Sequence, residues 1–388
     1  MNRFLLAVAS LASMAGALPP QDPAPVRSGL DVLIAQDFAP LKGRKVGLVT
    51  NQTGRARDGR HAVDVFLAQK VFLLKALFSP EHGFEGALDQ ARIDDAKHGS
   101  GLVIHSLYGE VRQPSKAMLD GLDTLVFDVQ DAGARFYTYA ATMRLCMEAA
   151  AEHALEFVVL DRPNPIGGIL VQGPVLADGD ESFVAPHTIP IRHGMTLGEL
   201  AHLFDVERAL ACSLSVIPMD GWQRSMLWED TGLSWVNPSP NLRTPTQALL
   251  YPGVALLEPA NVSVGRGTDT PFEVVGAPWL DGQALWSELR GRALPGVAFT
   301  PLRFTPSSSK HSQEDCGGVR IAVTDRAALD PLLAGITLIW AIARVAGDDF
   351  ELDKCSRLLL EPDAPAALQM PTAKIPIGPH PVTSTVVG

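Results

Sequence analysis

Cysteine is scarce. The 388-residue chain holds four, Cys146, Cys212, Cys316 and Cys355, and no two form a C-x-x-C pair. That spacing argues against a cysteine zinc site. An oxidising compartment would permit disulfides, with three possible pairings if all four joined; Cys146, set in an apolar helical run, reads instead as a buried free thiol. Positive charge is also short: 32 basic residues stand against 43 acidic ones, a formal net charge of −11, and no long Lys/Arg run occurs. Phosphate contacts need clustered cations, so nucleic acid is an unsuitable partner. Past the N-terminus no apolar run reaches spanning length; residues 332–345 come nearest, and Gly335, Thr337 and Arg344 interrupt them. The familiar catalytic signatures G-x-G-x-x-G, P-loop, H-E-x-x-H and G-x-S-x-G are missing as well. Dinucleotide phosphate binding and a serine nucleophile on an elbow therefore lack support.

What is present is a chain that is 46% apolar, long enough for a sizeable core and about two domains. Its start, Met1-Asn2-Arg3, precedes a short apolar stretch ending in Ala15-Gly16-Ala17, with Pro19 and Pro20 next. Residues 1–17 read as a cleaved signal peptide and 18–27 as a Pro-rich linker, so the mature chain is expected to be exported, periplasmic or secreted, with no membrane contact after cleavage. Short Val/Leu-rich runs follow at residues 45–50, 71–78, 124–127 and 156–160, each ending in a polar cluster. Helical patterns lie between or after them at 58–69, 116–122 and 137–154. Buried strands alternating with helices predict a Rossmann-like α/β domain over 28–190, a parallel sheet covered on both faces. The second half mixes a helix over 195–204, capped by Thr196 with Glu199 in the capping-box position, with short strands at 214–218, 297–302 and 319–323 and a helix at 330–346. It predicts a smaller α+β domain over 191–360, followed by a loosely ordered tail at 361–388.

Ligands in open α/β sheets bind at the carboxyl ends of the strands. Those ends here carry Glu81, Asp128, Asp131 and Asp161. Paired carboxylates are what acid/base chemistry on an acetal requires: one gives a proton to the leaving oxygen, the other acts ionised. Next to His82 and apolar Phe84, Glu81 could be desolvated. Each of these residues also has an ordinary reading, Glu81 as a hydrated loop carboxylate and Asp161-Arg162 as a structural ion pair. A metal site from His82, Asp128 and Asp161 has no diagnostic spacing, and no metal or cofactor is expected.

Six segments occur in an order that carries a resemblance: SPEHGFEG (79–86), VFDVQDAGARFYTY (126–139), VLDRPNPIGG (159–168), IRHGMTLGELA (191–201), NPSPNLRTPTQALLYPGVALLE (237–258) and NVSVGRGTDTPFEVVGAPW (261–279). Together they resemble the exo-β-N-acetylmuramidase family, the NamZ-type glycoside hydrolases, over roughly residues 28–350. The resemblance implies a two-domain enzyme with its site in the cleft between the domains. The implied reaction removes N-acetylmuramic acid from the non-reducing end of peptidoglycan fragments. It makes Glu81 the leading catalytic carboxylate. It also implies cleft positions for His82, Asp128, Gln130, Asp131, Arg135, Tyr137, Asp161, Arg162, Asn164, Arg192, His193, Asn241, Arg243, Glu258, Asn261, Arg266 and Asp269. From residue 352 onward the chain departs from the pattern, which would weaken closure of the second domain.

N-acetylmuramic acid carries an anionic lactyl ether, for which the planar fork of arginine is the fitting partner. Arg162, Arg192, Arg243 and Arg266 are the candidates among the motif residues. Two other classes compete with this reading. A muropeptide-binding protein would need the cleft without catalytic carboxylates, and a peptidoglycan amidase or esterase would need a nucleophile or zinc motif that the sequence does not display.

Overall fold

The computed structural model describes residues 25–292 and 294–359. The segment expected to be a signal peptide, most of the expected linker and the tail at 361–388 lie outside the described residues. Six parallel strands and one antiparallel edge strand form the main sheet, in the order β3-β4-β2-β1-β5-β6-β9. These are β1 (Lys45–Thr50), β2 (Leu73–Ser79), β3 (Ala96–Lys97), β4 (Val103–Ser106), β5 (Thr124–Asp128), β6 (Glu156–Leu160) and β9 (Ser213–Ile217). β3 is the edge strand, antiparallel to β4.

Alternation along the strands explains why both faces are covered. Leu125 and Phe127 of β5 and Phe157 and Val159 of β6 face one core, whereas Val126 and Val158 face the other, smaller one. α4 (Tyr139–Glu152) and α5 (Leu197–Glu207) supply the first cover. α1 (Gly29–Ala35) and α2 (Ala62–Ala68) supply the second. A short α3 (Lys116–Leu119) leads into β5. α2 starts later than its apolar pattern suggests, because His61 takes the N-cap position and accepts a bond from the Val63 amide. A two-stranded ribbon, β7 (Gln172–Val175) and β8 (Pro190–Arg192), inserts before α5.

One boundary is corrected. The second domain does not start at residue 191, because α5 packs on the main sheet and β9 pairs in parallel with β6. The 214–218 run thus belongs to the first domain. The second domain is a three-stranded antiparallel sheet, β10 (Val274–Ala277), β11 (Val297–Phe304) and β12 (Cys316–Val323), in the order β10-β12-β11. It packs with α6 (Pro245–Val254), α7 (Gly282–Arg290) and α8 (Pro331–Ala346). α6 and α8 cross where Gly253 meets Gly335: a Cβ built on Gly335 would stand 2.2 Å from the Gly253 carbonyl oxygen, so no larger residue fits this approach.

Residues 331–349 are the one helical stretch among the described residues that is long and apolar enough to cross a membrane. Most of α8 lies in the core instead, against α6 and α7. A final short helix, α9 (Ser356–Leu359), follows, and Leu352, Cys355 and Leu359 are all buried. The segment 352–359 therefore closes the second domain, contrary to the departure expected there. All four cysteines are free and buried.

Candidate active site

β1 is central, with β2 on one side and β5 on the other, so the chain switches direction of sheet growth between β1 and β5. The loops leaving β1, β2, β5 and β6 gather at that switch point, where open sheets form crevices. They carry Asn51, Glu81, Asp128 with Asp131, and Asp161, and the surroundings of each carboxylate differ.

Glu81 is only partly buried. Its carboxylate accepts a hydrogen bond from the Thr138 hydroxyl, and the Tyr108 phenol stands near enough to feel its charge. Thr138 is the N-cap residue of α4, so Glu81 stands at the positive end of that helix. The turn holding it is unusual. His82 adopts φ 69° and Gly83 φ 74°, and the His82 ring Nδ1 lies 2.8 Å from the Leu88 carbonyl oxygen. A left-handed non-glycine residue beside a functional carboxylate fits the concentration of backbone strain at sites. Phe84 packs edge-on against the rings of His61 and His98. The group bonded to Glu81 is thus a hydroxyl. Tyr108 is pushed up to about 12, first by burial and then by the Glu81 charge, so it stays a proton donor.

Asp128 is fully buried, and its Oδ1 accepts from Arg162 Nε at 2.6 Å. Arg162 also donates to the Arg55 carbonyl at 3.0 Å. The pair fastens the β5 loop to the β6 loop. Asp161 accepts from the Thr196 hydroxyl and from the amides of Gly198 and Arg162, which places its carboxylate at the start of α5. Burial nevertheless raises it to about 6, outweighing those donors. Of His82, Asp128 and Asp161, each has its own separate partners.

Asp131 is nearly buried and accepts from the Gly133 amide at 2.7 Å, while its other oxygen has no partner among the described residues. His193 Nε2 is 3.8 Å from Asp131. Gln130 donates to the Asp131 and Pro163 carbonyls, and its own amide oxygen is likewise unpaired. Tyr137, Tyr139, Tyr251 and Phe272 stack edge to face as one wall. Burial pushes all three phenols up, and both Tyr139 and Tyr251 feel the charges of Glu81 and Asp131. Both carboxylates thus lie within electrostatic reach of the tyrosine cluster. The Tyr139 hydroxyl accepts from Asn51 and donates to the Pro238 carbonyl at 2.6 Å, joining the loop after β1 to the loop that precedes α6.

Across the cleft, Asn241 donates to Asp89 at 3.0 Å, and Arg266 binds Glu258 at 2.5 Å and Asp89 at 3.3 Å. Burial and those carboxylates act oppositely on Arg266, and the carboxylates win, raising it. Arg266 and Glu258 also line a cavity of about 250 Å³ with Ser263, Ser309 and Lys310. Arg243 is half exposed, 3.9 Å from the exposed Asp269.

Other sequence candidates hold the frame. Arg135 donates to the carbonyls of Pro174, Ile189 and Leu358, tying the ribbon to α9. Asn164 bonds Met195 and Ile166. Arg192 bonds Gln172 and the Ile166 carbonyl, and burial lowers it to about 10. Asn261 bonds Asp349 and Glu351. Thr138, Tyr108, Tyr251 and Asp89 are the neighbours that sequence reasoning did not single out. Thr138 and Tyr251 lie inside quoted motifs, whereas Tyr108 and Asp89 lie in loops with no pattern to mark them.

Residues 46–246 match the family model described as exo-beta-N-acetylmuramidase NamZ, N-terminal, and residues 249–372 match its C-terminal counterpart. The chain belongs to the NamZ exo-β-N-acetylmuramidase family. The C-terminal match continues past residue 352, where the resemblance was expected to stop. A family relative from Bacillus subtilis, named peptidoglycan beta-N-acetylmuramidase NamZ, is 42% identical over 84% of this chain and 79% of its own. Two crystal structures of DUF1343 family proteins from Bacteroides fragilis share the fold. One superposes with a TM-score of 0.81 at 35% identity, the other with 0.71 at 31%, each covering 89% of this chain and 91% of theirs.

Proposed function

We propose that this protein is an exported exo-β-N-acetylmuramidase that releases N-acetylmuramic acid from the non-reducing end of peptidoglycan fragments. Family membership supports the reaction class. The observation that carries the assignment of roles is the contrast among the strand-end carboxylates. Asp128 is neutralised by Arg162, and Asp161 is bound to the start of α5. Glu81 alone is partly exposed, with a hydroxyl partner in Thr138 and no cation paired with it among the described residues.

In this reading Glu81 gives its proton to the glycosidic oxygen as the bond from that oxygen to the anomeric carbon breaks; water supplies the hydroxyl to that carbon, and the proton it sheds restores the acid form of Glu81. Thr138 holds the carboxyl group in place. Asp131, with one oxygen unpaired, accepts the N–H of the 2-acetamido group.

The test is hydrolysis of a chromogenic β-N-acetylmuraminide by the purified chain, with the N-acetylglucosaminide as control. Release from the muraminide alone is expected. E81Q should lose at least about 10²-fold in kcat, the scale of general-acid catalysis. An active E81Q would end the role given to Glu81. No release by folded protein would favour a binding protein, and release of peptide instead of sugar would favour an amidase.

A further inference from the structure

Arg112 stands beside Glu81 but outside every motif that marks the family resemblance. Its guanidinium carbon lies 3.9 Å from the centre of the Phe183 ring and 5.5 Å from that of Tyr108. The two rings are 5.8 Å apart and tilted by 37°. Tyr108 follows Leu107, whose amide donates to the Ser79 carbonyl at 2.8 Å, so the ring stands beside the turn that holds Glu81 and feels its charge. The cation is thus one tyrosine ring away from the proposed acid.

Charge around it is left unbalanced. Glu110, two residues earlier, is taken by Arg92 at 2.8 Å. Arg112 itself is exposed and pairs with no carboxylate among the described residues. A guanidinium stacked on aromatic rings is held by its face, and its N–H edge stays open to a planar anion. Three of the motif arginines lack that freedom: Arg162 is bound to Asp128, Arg192 to Ile166 and Gln172, and Arg266 to Glu258 and Asp89. Arg243 is half exposed, at the Asp269 side of the cleft.

We infer that Arg112, braced by Phe183 and Tyr108, forms the site for the lactyl carboxylate of the terminal muramic acid. The inference rests on the muramidase reading above. The sugar's geometry agrees with it, since the lactyl ether sits on carbon 3, across the ring from neither the acetamido group nor the scissile bond but on their flank. A proton donor at the glycosidic oxygen and a cation one ring away bracket those two groups.

The experiment compares two chromogenic substrates, the β-N-acetylmuraminide and its lactyl amide, in which the carboxylate is neutral. Wild type should prefer the carboxylate. R112A should lose about 10- to 100-fold in kcat/KM on the carboxylate substrate, the range of a charge-assisted bond, and change little on the amide. R112K should recover part of the loss through its point charge, and F183A should weaken the preference by unbracing the cation. Because Arg112 is exposed, folding of the variants is checked simply by their melting temperatures. A wild-type enzyme that prefers the carboxylate, with R112A preserving the same preference, overturns this site alone. A wild-type enzyme that cleaves neither substrate overturns the muramidase reading, and this site with it.

Discussion

Asp128 and Glu81 stand at the ends of β5 and β2, the two strands that flank β1, yet their surroundings differ. Asp128 has no exposed surface and holds Arg162 at 2.6 Å. Removing one partner of a buried pair strands the other charge, which costs about 3–5 kcal/mol. D128A should therefore show a urea midpoint lowered by that amount of stability, and activity should fall only as far as the folded fraction falls at a given temperature. E81Q should behave in reverse, losing turnover while its midpoint stays near that of wild type, because a partly exposed carboxylate with a hydroxyl partner keeps most of its contacts as an amide. Equal stability of D128A and wild type would remove the structural role given to the Asp128–Arg162 pair. The residue types at the strand ends were legible in the sequence because polar clusters punctuate apolar runs. Which carboxylate is neutralised was not, since Arg162 and Asp128 lie 34 positions apart and nothing local joins them.

At the level of elements, local signals read true and distant ones did not. The Thr196–Glu199 capping box of α5 is a contact between residues three apart, and the structure contains it as written. The β9 run was visible as a strand, but its membership of the main sheet depends on pairing with β6, more than fifty residues upstream, so it was assigned to the wrong domain. β3, β4 and the β7–β8 ribbon are too short for a pattern to emerge. Joining α5 to that sheet is Asp161, whose carboxylate burial raises from 3.8 to about 6. The unfolded chain releases this proton near 3.8, whereas the folded protein keeps it until about 6. Within that window folding takes up a proton, so the contribution of Asp161 favours the native state at low pH and is lost as pH rises through the folded value. Urea midpoints measured at roughly pH 4 and pH 6.5 should show this loss in wild type and a smaller one in D161N. An unchanged slope in D161N would mean that the donors at the start of α5, not burial, govern the group.

The whole molecule raises a different question, whether its two halves are separate machines. The family models divide it near residue 247, and such a division invites a hinge closing over the cleft. Its packing points the other way. One continuous core runs from Val49 of β1 through Phe127, α4 and α5 to Leu250 of α6, Val319 of β12, Ile339 of α8 and Leu359 of α9. Polar ties cross the same divide: Arg266 to Asp89, and Arg135 to Leu358. A domain interface meant to move is smaller and more polar than this. The cleft is thus set by the fold, with Glu81 and the tyrosine wall already in place before any ligand arrives. Calorimetry should accordingly record a single unfolding transition across both halves, although chains beyond about 150 residues often show more. A fragment ending at residue 246 should expose Phe136 and Tyr137, which pack on Tyr251 of α6, and fail to hold native tertiary structure by near-ultraviolet dichroism. Two resolved transitions, or a folded fragment, would restore the hinge and make closure over the muramic acid part of the mechanism.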